Sequence, residues 1–174
     1  MNNLELFSLL KKNAEYFSTD MFPKNAPSDQ EQQPFNRFRY ISRLVADYNQ
    51  KTFQEIKNRD CIAVIEQVDV DQYNEFTFRI DKYMDQYAPG QDDLKRYIQI
   101  ISAYLTFIAR KPLHPPGMIF DGNKSVIIDN NKYYCPVKNK QLQGEFSICK
   151  YCVSQDISKM IHTSKTVSVK ETIL

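Results

Sequence analysis

The sequence predicts a mainly α-helical fold: one domain of about four main helices around a central hydrophobic helix, closed by a small C-terminal β-hairpin and a short helix. Three observations lead there. Apolar residues return every three or four positions in successive stretches before residue 110, the spacing of one helix face. The stretch Tyr97 to Ala109 is apolar on nearly all sides, as a helix with neighbours all around it must be. After Arg110 the pattern breaks into a proline- and glycine-rich run, and three of the four cysteines follow it. Only 4 glycines in 174 residues argue against a turn-rich β-sandwich, and a chain of this length buries a core without needing staples.

The elements follow in order. Leu4, Phe7, Leu10, Ala14 and Phe17 share a helical face, with Asn2 and Glu5 as a capping pair. Residues 18–34, with three prolines, read as a loop. Pro34 suits the first turn of a second helix, where its missing N–H costs nothing; the stripe is Phe38, Ile41, Val45, Tyr48, Thr52 and Ile56. Cys61 to Val68 is a short β-branched run that fits strand or helix. Asp71 can cap a third helix with the stripe Tyr73, Phe76, Ile80, Tyr83 or Met84, and Tyr87, ended by Ala88-Pro89-Gly90. The fourth helix runs from Gln91 to Arg110. Ser125 to Cys135 reads as a hairpin turning at Asn130-Asn131, which tolerate the positive φ of a tight turn. Cys149 and Cys152 fall in a short helix, and the tail Thr163 to Leu174 frays or adds an edge strand.

The formal net charge is +2, too small by itself to imply nucleic acid or an anionic membrane. The charge is uneven, however: residues 110–152 carry 7 basic and 3 acidic side chains. No stretch offers the ~20 apolar residues of a membrane span, and the N-terminus lacks the pattern of a secretory leader. A cytoplasmic protein without membrane contact is the expectation. In a reducing compartment, clustered cysteines are more often metal ligands or redox groups than disulfides.

Cys135, Cys149 and Cys152 are spaced C-x13-C-x2-C. A C-x2-C pair supplies two ligands to a tetrahedral zinc, and a cysteine at a strand end supplies a third. His114, Cys61, His162 and Asp121 are candidates for the fourth. His114 is preferred, since Pro115-Pro116-Gly117 stiffens and turns the loop that carries it; Cys61 comes next, with burial as its commoner fate. An iron–sulfur cluster or a redox pair at Cys149 and Cys152 are alternatives. Zinc held this way would staple residues 111–155, as a cap, onto a helical body of residues 1–110, leaving 156–174 as a tail.

The runs His114-Pro115-Pro116-Gly117, Tyr133-Tyr134, Cys135-Pro136-Val137-Lys138 and Cys149-Lys150-Tyr151-Cys152 resemble an archaeal family of uncharacterised proteins, domain of unknown function 2115, found chiefly in methanogens. The resemblance is strongest over Ile101 to Ser154. It implies that His114 and the three cysteines belong to one pattern, and it carries no activity with it. Where that family has Phe-Pro-Gly-Gly, this chain reads Phe120-Asp121-Gly122-Asn123.

Three functions fit these residues. A closed site of three thiolates and an imidazole leaves no position for substrate and points to a structural zinc in a protein-interaction or adaptor protein. An open metal site, with Asp121 or Lys138 as acid or base, would make an enzyme, although no motif of a familiar reaction is present. Tyr133, Tyr134 and Tyr151 among Lys132, Lys138 and Lys150 could instead bind single-stranded nucleic acid.

Overall fold

The computed structural model describes residues 1–18 and 36–160. It is mainly helical, with a small three-stranded sheet. Helix α1 (Asn3–Glu15) begins at a complete capping box: the Asn2 side chain accepts from the Glu5 amide and Glu5 accepts from the Asn2 amide, both at 2.8 Å. Its inward face is Leu6, Phe7, Leu10 and Ala14; Leu4, expected inside, is exposed, because the buried face is centred one turn-step further round. The expected cap at Pro34 and the loop before it lie outside the described residues, but for Ser18. Helix α2 (Arg37–Asn58) is capped by Asn36, whose side chain accepts from Arg39 N at 3.1 Å. Phe53 and Ile56 carry its burial, while Phe38 stands in solvent.

The run Cys61 to Val68 is neither strand nor helix. It is an irregular connection held by Asn3, whose side chain donates to Val64 O (2.9 Å) and accepts from Glu66 N (3.0 Å). The α1 start pairs with it through a single bridge, Asn2 to Gln67.

Helix α3 (Val70–Tyr87) is capped by Asp69 rather than Asp71. The Asp69 carboxylate accepts from Asp71 N at 2.9 Å and Gln72 N at 3.1 Å, so Asp71 is already inside the first turn. Phe76, Ile80 and Met84 are buried, while Tyr83 and Tyr87 face outward. Helix α4 starts at Asp92, with Gln91 as its cap, and remains α-helical only to Ala103. The expected continuous helix to Arg110 instead widens into a π turn over Tyr104–Ile108, closed by Ala109 N to Tyr104 O at 2.8 Å. Arg110 then takes φ 52, the left-handed conformation that ends helices and that glycine usually fills. The expectation of a central helix holds: residues 100–107 are all buried, and α4 with its π turn packs against α1, α2 and α3.

Beyond Arg110, Pro115 to Met118 makes a tight turn (Met118 N to Pro115 O, 3.1 Å) with Gly117 at φ 84, the position where that turn type requires positive φ. Strands β1 (Ile127–Asp129) and β2 (Lys132–Cys135) form the expected hairpin. Asn130 (φ 48) and Asn131 (φ 60) make its turn. Two features depart from expectation. A short helix α5 (Lys138–Gln141) follows β2, and Cys149 and Cys152 lie in turns rather than a helix. A two-residue strand β3 (Gln155–Asp156) then pairs parallel to β2, giving the sheet order β1-β2-β3. No helix among the described residues is long and apolar enough to cross a membrane.

Candidate metal centre

Two local devices place the three cysteines of the C-x13-C-x2-C set. Cys135 ends β2 and is buried, its carbonyl accepting from Ile157 N at 3.3 Å just past β3. Cys149 and Cys152 sit half-buried at the two ends of one turn, closed by Cys152 N to Cys149 O at 3.2 Å. Lys138 holds that turn against β2: its ammonium donates to Cys149 O (2.6 Å) and to Cys152 O (2.8 Å). A single lysine side chain thus reaches both ends of the C-x2-C turn from the start of α5.

The three thiols are close enough to feel one another. Burial pushes the Cys135 thiol above its ordinary value, and the neighbouring Cys149 and Cys152 add to that, against the Val137 amide and the Lys138 charge. Burial also raises Cys149, with Cys152 adding, while the Ser147 hydroxyl and Lys138 work the other way. The Ser147 hydroxyl accepts from Cys149 N at 3.2 Å, and Cys152 Sγ accepts from Leu113 N–H, 3.5 Å away.

That last contact brings the histidine loop to the cysteines. His114 follows directly, half-buried, with its ring edge-on to Phe120 at 5.4 Å, and burial lowers its pKa. His114 and Cys149 both line a largely apolar cavity of about 360 Å³ between α3, α4 and the cysteine turn. After Phe120, Gly122 and Asn123 turn the loop with φ 76 and 55.

The other candidates do not join. Cys61, expected buried, is exposed on the α2–α3 connection beside Arg59. Asp121 is fully exposed and pairs with Arg37 at 3.6 Å. His162 lies outside the described residues. Among the described residues no group of three or more His, Cys, Asp or Glu side chains is already arranged to hold a metal ion. By residue type the donor set, three thiols and one imidazole, nevertheless suits a soft or borderline ion.

Sequence reasoning missed Tyr48. Its hydroxyl donates to Pro112 O at 2.7 Å, and burial raises its pKa well above the ordinary range, with Tyr133 and Cys152 adding. A tyrosine in a stripe of Ile and Val was the available signal, since a buried hydroxyl needs a partner. Two of the three tyrosines proposed as a stacking platform are otherwise engaged: Tyr134 is buried, and Tyr151 packs edge-on to Phe76 at 5.4 Å.

The described residues form a mainly helical protein with a small three-stranded sheet, in which the loop that carries His114 reaches the cysteine turn through Leu113 N and Cys152 Sγ. The chain belongs to the family described as an uncharacterized protein conserved in archaea (DUF2115), whose family model matches residues 2–157. A UPF0305 protein of Methanocaldococcus jannaschii is 35% identical over 164 residues, covering 92% of this chain and 99% of that protein. A UPF0305 protein of Methanococcus maripaludis is 28% identical over 173 residues, and one of Methanothermobacter thermautotrophicus is 33% identical over 88 residues, half of this chain. No solved structure matches the chain.

Proposed function

We propose that Cys135, Cys149, Cys152 and His114 form a structural metal site of the zinc type that staples residues 111–155 to the helical body, in a cytoplasmic protein whose role is to engage another protein. One observation carries this reading: Cys152 Sγ receives the Leu113 amide from the histidine loop, and the Val137 amide and Ser147 hydroxyl favour the charged form of the other two thiols. A metal-bound thiolate keeps negative charge and is held by such donors, whereas a neutral buried thiol is a weak acceptor that does not need one. Lys138 adds a positive charge beside them. Completing the site requires the Cys149–Cys152 turn to close on Cys135 and His114. Three thiolates and an imidazole then fill a tetrahedron, leaving no place for a substrate, which supports an interaction role over catalysis.

The enzyme alternative draws little support. Lys138 donates to two backbone carbonyls and Asp121 stands in solvent, so neither is poised to move a proton. The test is metal content and thiol reactivity of anaerobically purified protein without a histidine tag. The expected result is one zinc per chain, with three thiols released only by chelator or denaturant and Cys61 reactive throughout. Iron with acid-labile sulfide would replace this reading by a cluster protein, and four freely reactive thiols without metal would end it.

A further inference from the structure

The cavity of about 360 Å³ between α3, α4 and the cysteine turn is more space than a packed interior leaves, since cores hold few voids wider than a water molecule. Its volume lies at the low end of the range of about 300–1,000 Å³ that small-molecule sites occupy. It can also be entered. Ile80, Ile101 and Leu105 are buried and form its inner wall, while Tyr83 and Gln141 are exposed and stand at its mouth.

The walls decide what could fit. Most of the lining is apolar, and among the described residues no Lys, Arg, Asp or Glu contributes to it. A charged ligand would therefore lose its water and find no opposite charge, which is costly.

The inner wall nevertheless carries one polar group without a use in the protein. Ser102, in α4, lines the cavity and is only 8% exposed. A hydroxyl within a helix commonly donates to the carbonyl four residues back, as Ser8 and Thr52 do at 2.9 and 2.8 Å. Ser102 makes no such bond, and its hydroxyl has no other partner among the described residues. The hydroxyls of Thr106 and Tyr151 are sealed off completely. That of Ser102 is not, and the cavity is the open space beside it. His114 lines the same cavity, and neither of its ring nitrogens has a hydrogen-bond partner among the described residues. A hydroxyl so deep costs stability unless something bonds it, and alanine would suit the helix better. A partner from outside the protein accounts for the serine.

We infer that this cavity binds a small uncharged molecule, mainly aromatic or aliphatic and about the size of two fused rings. Its single hydrogen-bonding group meets Ser102, and its hydrocarbon part lies against Ile80, Ile101 and Leu105. His114 offers a second polar contact. The inference does not rest on the metal reading, because Ser102 has no part in that site and metal content is measured apart from ligand binding.

The test is a titration of methyl-labelled full-length protein, followed by NMR. Indole and naphthol serve as neutral probes with one polar group, indene as the shape of indole without it, and indole-5-carboxylate as the charged counterpart. At least one of indole and naphthol is expected to give saturable shifts at the methyls of Ile80, Ile101 and Leu105. Indole should bind more tightly than indene or the carboxylate. Ser102→Ala should weaken binding of the polar probes about tenfold, the worth of one good hydrogen bond, while indene binds as before. The same variant should melt no lower than the wild type, because an unsatisfied group gives way to a better helix former. No saturable shift at those methyls with indole or naphthol, preference for indene or the carboxylate, or equal binding of the polar probes by Ser102→Ala would overturn the inference.

Discussion

Glu55 accepts two hydrogen bonds at once, from Tyr104 Oη at 2.8 Å and from Lys111 Nζ at 2.7 Å, while Arg59 donates to the same Tyr104 hydroxyl at 2.9 Å. Burial raises the Glu55 pKa, but the bonds from Lys111 and Tyr104 and the charges of Lys111 and Arg59 outweigh it, so the net shift is downward. A carboxylate whose folded pKa is depressed adds stability above its unfolded value, and that stability is lost as the pH falls through the folded value. Thermal melts of Glu55→Gln should therefore lose part of the acid dependence that the wild type shows below the ordinary value of 4.5. Equal slopes in the two proteins would mean that the network does not titrate with folding. The hairpin residues are the other test at this scale. Asn131 at φ 60 tolerates glycine, whereas Asn131→Val should cost about 1–2 kcal/mol in a urea melt, because a β-branched side chain is strained there.

At the scale of elements, helix ends separate what the residues announce from what only packing decides. Asn2 with Glu5 is a local signature, complete within four residues, and the structure uses it as read. Asp69 and Asp71 stand two apart, and either could cap; Val68, buried against the core, brings the chain in so that Asp69 falls at the end. Asp69→Ala should cost about 1 kcal/mol by denaturant unfolding, and Asp71→Ala clearly less, since Asp69 alone accepts from two free amides. The π turn was not legible for a related reason. Tyr104 to Ile108 is apolar at almost every position, so no periodicity marks where the register widens. Strand β3 is two polar residues long, and a pairing set by a distant partner leaves no pattern in Gln155-Asp156. The cysteine turn was misread as helix because Phe146 to Ser158 has helix-compatible residues, whereas Arg79 holds it open by donating to Glu145 O at 2.7 Å and Ser147 O at 3.3 Å.

For the whole molecule, the helical body was legible because each helix repeats its own apolar face, and a face that repeats can be read without knowing its neighbours. The candidate site was legible as residue types, and its supports were not: Lys138, Tyr48 and Leu113 reach it from separate parts of the chain through backbone contacts that leave no motif. The body's stability rests on the central helix. Ile101, 2% exposed, is in the middle of it, and Ile101→Ala should destabilise by about 2–5 kcal/mol in equilibrium urea unfolding. A loss under 1 kcal/mol would mean that the helices can close around the gap.

The parallel pairing of β3 with β2 has a consequence for how the molecule survives a cut. Residues 136–154 leave β2 and return beside it, so the cysteine turn is a loop whose two ends are laced together by Tyr134 to Gln155 and Cys135 to Asp156. Lys140 is exposed in the short helix α5 on that loop and is a candidate site for trypsin. A single nick there should not shed the C-terminal piece, which stays anchored by the strand pairing, by Arg79, and by Tyr151 against Phe76. The nicked chain should run as one particle in size exclusion and as two bands on a denaturing gel. The protein would then be divisible at residue 140 into two separately produced halves that find each other.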